Sequence, residues 1–414
     1  MSALMSRLAR CVLALGLLLT AAGCGGGPDH GRVTIMVPWS GKEFQAFYSV
    51  IKEFEKDTGI HVDIQVTRAL TQQLDAAVAA GAPPDLAMLP SVGAIYKYAD
   101  TKKEKDRKLQ PLDVPTGAYL QPFRDLTEVR GGVYAVPVKV DVKSLVWYDS
   151  AVTSPPSSAD ARTFAAKKPG TWCLGLESGP TSGWPGADWI ADILLAEGNG
   201  DAYKQWLSGQ KEWNSDPVKE AWKAWRNLVG TSVEEASTLN FAEATKGMTA
   251  KPPTCTLAHG ALSAMGFGEG RRYGFVTSSS TKRLEVSADF VGMFTTGNQS
   301  AEKLIAYLAG RKAQQSWVNQ PGGNGFSADS KVAYDSSVQR QIAKMLRPDS
   351  GYTLCFGAAD AMTPDVSAAF YRAVLDYASD DTEDPTDLLK NLDDVQNNLG
   401  NSQVPSAKLC AKLT

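Results

Sequence analysis

The chain has 414 residues, 42 Lys and Arg against 45 Asp and Glu, and a formal net charge of −3. That near balance supplies no counterion-release drive toward nucleic acid, and at roughly 100 to 200 residues per domain the length predicts two or three domains. Three histidines against ten tryptophans leave little imidazole chemistry and much aromatic surface.

The first residues place Arg7 and Arg10 before an apolar run over residues 11–22, which reads as a secretory signal. The run is too short to span a bilayer core of about 30 Å. "TAAGC" resembles a bacterial lipobox, with Ala21 where leucine is usual, and predicts removal of residues 1–23 and a lipid on Cys24. Residues 24–32 offer nothing to pack and read as a flexible tether. Acyl chains, at about 0.8 kcal/mol per buried CH₂, then hold the mature chain on the extracytoplasmic face of a membrane.

Residues 33–37 form a strand, and Phe44, Phe47, Ile51 and Phe54 recur at helical spacing until Gly59 stops the helix. Val62, Ile64 and Val66 alternate with polar neighbours, a half-buried strand. A second helix over "TQQLDAAVAAG" leads to the strand "PPDLAML". This β-α-β-α-β order with right-handed crossovers is a parallel sheet, whose ligand crevice lies beyond the carboxyl ends of its strands. Those ends are residues 38–41 and 89–91. The mixed-charge run 101–108 reads as a solvated face or loop. Residues 133–136 and 138–148 are extended, the second piece long enough to pass from one lobe to another. Stretch 163–270 is rich in tryptophan, and Trp222 and Trp225 at helical spacing read as core. "ADFVGMFTTGNQ" is strand-like, "SAEKLIAYLAGRKAQQSWVNQ" helical and "PGGNGFS" a glycine turn; the tail from Ser337 is helical in pattern.

Cys11 leaves with the signal. The four cysteines beyond Cys24 (Cys173, Cys255, Cys355, Cys410) have no CxxC spacing, which argues against zinc; in an exported chain they read as disulfides. Three pairings are possible, and grouping by region favours Cys173 with Cys255 and Cys355 with Cys410. No GxSxG, HExxH or P-loop is present, "GFGEG" lacks the register of a dinucleotide fingerprint, and His259 reads as structural. No metal or cofactor is expected. Two suitably spaced carboxylates would still serve glycoside hydrolysis.

Trp39, Trp184 and Trp189 sit beside Gly, Pro, Ser or Asp on predicted connections. A pyranose has apolar faces and a hydroxyl rim, so its site needs aromatic platforms edged by polar groups. Glu43, Asp85, Lys139, Asp141, Glu177 and Asp188 are available. Polyamine sites share the aromatics, because cations also sit over ring faces. In "GWPGADW", Pro185 falls near the first helical position, so free N–H donors, Asp188 and the two indoles could wrap a sugar ring. Core packing of both indoles is the competing reading, and Trp189 is the more inclined to it.

Taken in order, "PWSG", "PPDLAML", "YAVPVKVDVKSLVWYD" and "FVGMFTTGNQSAEKLIAYLAGRKAQQSWVNQPGGNGFSADS" resemble the extracellular sugar-binding lipoproteins of ABC importers. "WCLGLESGPTSGWPGADWIADILL" is similar to their α-glucoside-binding branch. The resemblance spans essentially the whole mature chain. It implies an α/β, two-lobed periplasmic-binding-protein-like fold, each lobe a mainly parallel sheet flanked by helices, around a hinged cleft. The N-terminal lobe would be 31–140 plus 290–327 and the C-terminal lobe 141–289 plus 328–414. Trp39, Ser40 and Glu43 would form the first rim, Ser91 the next, Asp141 the first crossing, and Gly322 and Gly323 the last rim turn. The implied function is capture of a small carbohydrate, an α-glucoside of maltose, trehalose or sucrose type, by a monomer that delivers it to permease subunits without chemistry. A receptor of the same fold for a polyamine or other non-sugar solute and a secreted glycosidase are the competing readings.

Overall fold

Val33, Ile35 and Val37 are fully buried and make β1 (Arg32–Val37) an inner strand of a sheet. The structure, a computed structural model, describes residues 31–89, 91–101, 104–151, 170–197, 200–233, 235–267, 273–380, 384–399 and 404–413. The signal segment, Cys24, tether residues 24–30 and Pro90 lie outside the described residues.

From β1 the chain enters α1 (Gly41–Thr58), which buries Phe47, Val50, Ile51 and Phe54 and ends where Gly59, at φ 72°, returns its N–H to the Glu55 carbonyl. β2 (His61–Val66), α2 (Leu70–Ala79) and β3 (Leu86–Leu89) follow. β2 and β3 both run parallel to β1, as the crossovers require. Ser91 then caps α3 (Val92–Ala99) by accepting from the Ala94 N–H at 3.1 Å.

Beyond this unit most strand pairings are antiparallel. After a small hairpin, β4 (Glu128–Val129) and β5 (Gly132–Val133), come β6 (Val136–Val142) and β7 (Leu145–Asp149). β7 is the centre of a second, antiparallel sheet with β8 (Leu257–His259) and β9 (Tyr273–Thr277). β10 (Arg283–Met293) is the long strand of the fold. Along one edge it pairs antiparallel with β6; along the other it pairs first with β11 (Thr353–Phe356), parallel, and then with β3, antiparallel. Val286 faces both Phe356 and Val142, and Phe290 faces both Leu89 and Pro137, so β11 and β3 occupy the same edge in succession. β12 (Cys410–Lys412) completes the seven-stranded sheet beside β11. Only strands joined by a helical crossover within one sheet must run parallel. β10 returns from the second sheet and meets β3 head to tail.

The helices cover the sheets. α4 (Trp184–Glu197) is mostly apolar and buries residues 186–195, Asp188 and Asp192 among them. It packs against α5 (Asp216–Val229), which buries Trp222 and Trp225. The single helix expected over "SAEKLIAYLAGRKAQQSWVNQ" is two, α6 (Gln299–Ala309) and α7 (Arg311–Val318), because Gly310 takes an extended ψ of 143° between them. The tail, expected to be helical, carries α8 (Pro364–Ser379) and α9 (Thr386–Leu399) but also β11 and β12. Those strands are too short to show a period, and their pairing is tied by the Cys355–Cys410 disulfide. Cys173 is bonded to Cys255. No helix among the described residues is long and apolar enough to cross a membrane, and no group of three or more His, Cys, Asp or Glu among them could hold a metal ion.

Candidate functional site

Alternation along β6 sends Val138, Val140 and Val142 into the core and turns Lys139, Asp141 and Lys143 to the other face. On β10 the partners of that face are Asp289, opposite Lys139, and Ser287, opposite Asp141. The Lys143 N–H donates to the Glu285 carbonyl at 2.8 Å and continues the register. A two-stranded ribbon thus carries a ladder of charged and polar side chains. Above it lies a cavity of about 350 Å³.

One wall comes from the β1–α1 corner and from α2 and α3: Trp39, Glu43, Arg68, Gln72 and Ser91. The other comes from α4, α8 and the connections near them: Trp184, Asp188, Phe241, Ser263, Asp360 and Tyr371. Arg68 bridges the two walls, donating to the Pro38 carbonyl at 3.3 Å and to Ser178 Oγ at 2.9 Å.

Two buried ammonium groups organise the floor. Lys139 Nζ lies 2.5 Å from Glu43 Oε1, 3.3 Å from Asp141 Oδ2 and 3.7 Å from Asp289 Oδ2. Burial by itself would lower its pKa, but these carboxylates outweigh that and hold it well above the ordinary lysine value. Asp289 also accepts from Trp39 Nε1 at 3.2 Å, and Asp141 accepts from Ser263 Oγ at 2.7 Å. Lys143 Nζ donates to Asp188 Oδ1 at 2.8 Å and Asp360 Oδ2 at 2.7 Å, and the same balance keeps it protonated. Burial pushes Asp188 up to about 7 despite Lys143, with Asp360 adding to the rise. Burial likewise pushes Asp289 up to about 6 against the pull of Lys139. Glu285, fully buried with neither oxygen hydrogen-bonded, is driven well above the carboxylate range by burial and by Asp188. It lies under the ribbon, where burial disfavours its charged form. The lysine protons are committed to carboxylates, so the floor presents mainly acceptor oxygens to whatever enters.

Of the residues singled out from sequence, the cavity brings together Trp39, Glu43, Ser91, Lys139, Asp141, Trp184 and Asp188. The others stand elsewhere. Trp189 is packed between Trp172 (centroids 4.5 Å apart, edge to face) and His259, behind the wall. Glu177 accepts from the Gly179 N–H and from Asn240 Nδ2, and so shapes the loop that holds Ser178. Asp85 ties β1 to the turn after β10, accepting from Thr34, Thr295 and Asn298. Ser40 is an exposed residue at the head of α1. A Cβ on Gly322 would lie 2.5 Å from the Lys42 carbonyl oxygen, and one on Gly323 would lie 2.0 Å from that of Trp317; both glycines serve close packing behind the rim. Trp39 is only 3% exposed and wedged against Phe47 and Trp317, so it offers an edge rather than an open face. Trp184, half-buried and edge to face with Phe241 at 5.1 Å, is the more accessible ring.

Sequence reasoning missed Arg68, Lys143, Asp289, Asp360 and Tyr371. A signal existed for two of them. In "VPVKVDVKS" Lys143 continues the Lys139, Asp141 alternation, and in "LEVSADF" Glu285, Ser287 and Asp289 alternate with buried apolar residues.

Residues 38–315 match the family model described as bacterial extracellular solute-binding protein. The α-glucosides-binding periplasmic protein AglE of Rhizobium meliloti is 27% identical over 390 residues, covering 83% of this chain and 83% of that protein. The osmoprotective compounds-binding protein GgtB of Synechocystis sp. is 27% identical over 411 residues, covering 88% and 93%. Among solved structures, the solute receptor AcbH, described as preferring β-D-galactopyranose, superposes with a TM-score of 0.69 at 14% identity, covering 89% of this chain and 99% of that one. Maltose-bound MalE3 of T. maritima superposes with a TM-score of 0.67 at 15% identity, covering 89% and 100%. Those two likenesses establish the two-lobed periplasmic-binding-protein-like fold. With the family model matched over most of its length, the chain belongs to the bacterial extracellular solute-binding proteins.

Proposed function

We propose that the chain is the carbohydrate receptor of an ABC importer and that its ligand is a disaccharide-sized α-glucoside of maltose, trehalose or sucrose type. The observation that carries this reading is the cavity over the Lys139, Asp141, Lys143 ladder, walled on opposite sides by Trp39 and Trp184. Its volume of about 350 Å³ suits a ligand of one or two rings, near the lower end of small-molecule sites. Carboxylates take the donor protons of sugar hydroxyls, while Trp184, Phe241 and Tyr371 offer apolar surface to ring faces. The likeness to AglE supports the α-glucoside class.

Under this reading the lobes divide near 140/141, 289/290 and 327/328, so the β6–β10 ribbon is the crossing. Ligand touches both walls only when they close, and binding shifts the population toward the form a permease recognises. Lipid on Cys24 would hold the monomer at the membrane, and no bond is made or broken.

A polyamine reading draws on the carboxylate excess of the walls, which includes Glu43, Asp141, Asp188, Asp289 and Asp360. Two ammonium groups in the floor oppose it, since a second polycation there meets like charge. Titration calorimetry with maltose, trehalose, sucrose and spermidine tests the choice. Heat from a disaccharide with no sugar cleaved supports the receptor. Heat from spermidine alone, or released glucose, overturns it.

A further inference from the structure

Behind the Trp184 wall lies a second, smaller cavity of about 30 Å³. Trp184, Asp188, Phe241 and Ala264 line both spaces, so the two adjoin at those residues. The far side of the small space is apolar, with Leu174, Pro185, Ala258 and Met265. Its polar side chains are the Asp188 carboxylate, the Thr245 hydroxyl and the His259 imidazole, whose Nε2 is paired with Asp192 at 2.8 Å. Thr245 is 2% exposed, and its Oγ1 has no hydrogen-bond partner. A buried hydroxyl left unpaired is costly and is normally satisfied. It belongs to a residue that lines a space bordering the ligand cavity.

We propose that this annex is a subsite for the exocyclic hydroxymethyl group of a hexopyranose. Resting on the carbohydrate reading above, it makes the receptor selective for hexose over pentose units at the Trp184 end. Size and chemistry both point there. A volume of about 30 Å³, where one water needs roughly 10 to 15 Å³ on the same measure, is enough for a single small group and not for a ring. The apolar walls match a methylene, which a ring hydroxyl lacks. Thr245 and Asp188 match the terminal O–H, the first donating to or accepting from it and the second accepting.

The test uses the mature protein and calorimetry with a bound glucose disaccharide and its two analogues in which one or the other glucose is replaced by xylose. The subsite predicts that one analogue loses about tenfold or more in affinity and the other much less. Thr245→Val is expected to weaken the glucose disaccharide about tenfold, to leave the affected xylose analogue unchanged, and not to lower the melting temperature of the free protein, because the lost hydroxyl had no partner to lose. Equal affinities for all three sugars would overturn the subsite while leaving the carbohydrate reading intact. Silence from every saccharide would overturn both. Should the valine variant fold poorly, the unpartnered-hydroxyl argument is contradicted, and the analogue series on the unaltered protein still decides selectivity.

Discussion

The indole of Trp189 lies flat on the imidazole of His259, with centroids 4.8 Å apart and planes 5° from parallel. His259 Nε2 in turn meets Asp192 Oδ2 at 2.8 Å, and Asp192 accepts from Ser144 Oγ at 2.5 Å. Five residues upstream, Trp184 stands at the cavity. The two indoles of one motif therefore have separate duties. Trp189→Ala is expected to destabilise the fold by about 3 to 5 kcal/mol, the range for truncating a buried large aromatic, measured by urea unfolding. Trp184→Ala is expected to leave stability nearly unchanged and to weaken sugar binding at least about tenfold, or about 1.4 kcal/mol. The opposite pattern would reverse the assignment.

Lys143 pairs with both Asp188 and Asp360, at 2.8 and 2.7 Å. Removing it strands the buried Asp188 carboxylate and the partly buried one of Asp360, and Lys143→Met is expected to cost about 3 to 5 kcal/mol. Adding Asp188→Asn and Asp360→Asn to that variant is expected to restore much of the loss. A triple variant no more stable than Lys143→Met would show that the cluster is not coupled in this way.

Stability also responds to pH through the raised carboxyls. Asp188 near 7 and Asp289 near 6 retain protons in the folded chain that the unfolded chain has released above about pH 4. Over that window unfolding releases protons, so their contribution is full below about pH 4 and is lost as pH rises toward 7. The melting temperature is expected to fall between pH 5 and about 7.5, and Asp188→Asn to flatten the slope. An unchanged slope in that variant would remove Asp188 from the account.

The disulfides close loops of 82 and 55 residues. On the chain-entropy model each contributes about 4 kcal/mol by restricting the unfolded chain. Replacing Cys355 and Cys410 together by serine is expected to lower the unfolding midpoint while leaving the sugar affinity intact, since neither cysteine borders the cavity. A changed affinity in a folded variant would tie that pair to the site.

What was legible in the sequence was what repeats or punctuates. The stripe of α1, the stop at Gly59 and the β-α-β-α-β order follow from local periodicity, while Lys139 and Asp141 stand out as polar groups available to a sugar rim, Asp141 also through the family resemblance. What escaped notice depends on partners distant in the chain. β11 becomes a strand because β10 offers it an edge, and Asp360 enters the site because Lys143, 217 positions away, draws it in. Arg68 looks like any exposed arginine until Ser178 arrives opposite it. Trp184 and Trp189 share one helix, and only the packing of Trp172 and His259 tells them apart.

Because β10 serves β11 with its first residues and β3 with its last, neither neighbour can slide along it without breaking every rung at once. Under the lobe division proposed above, β10 would be the torsion bar about which the two jaws turn, their spacing at the base held by those rungs. A guest would then be gauged by the angle at which the jaws come to rest, one too long propping them ajar and one too short letting them meet before they grip it.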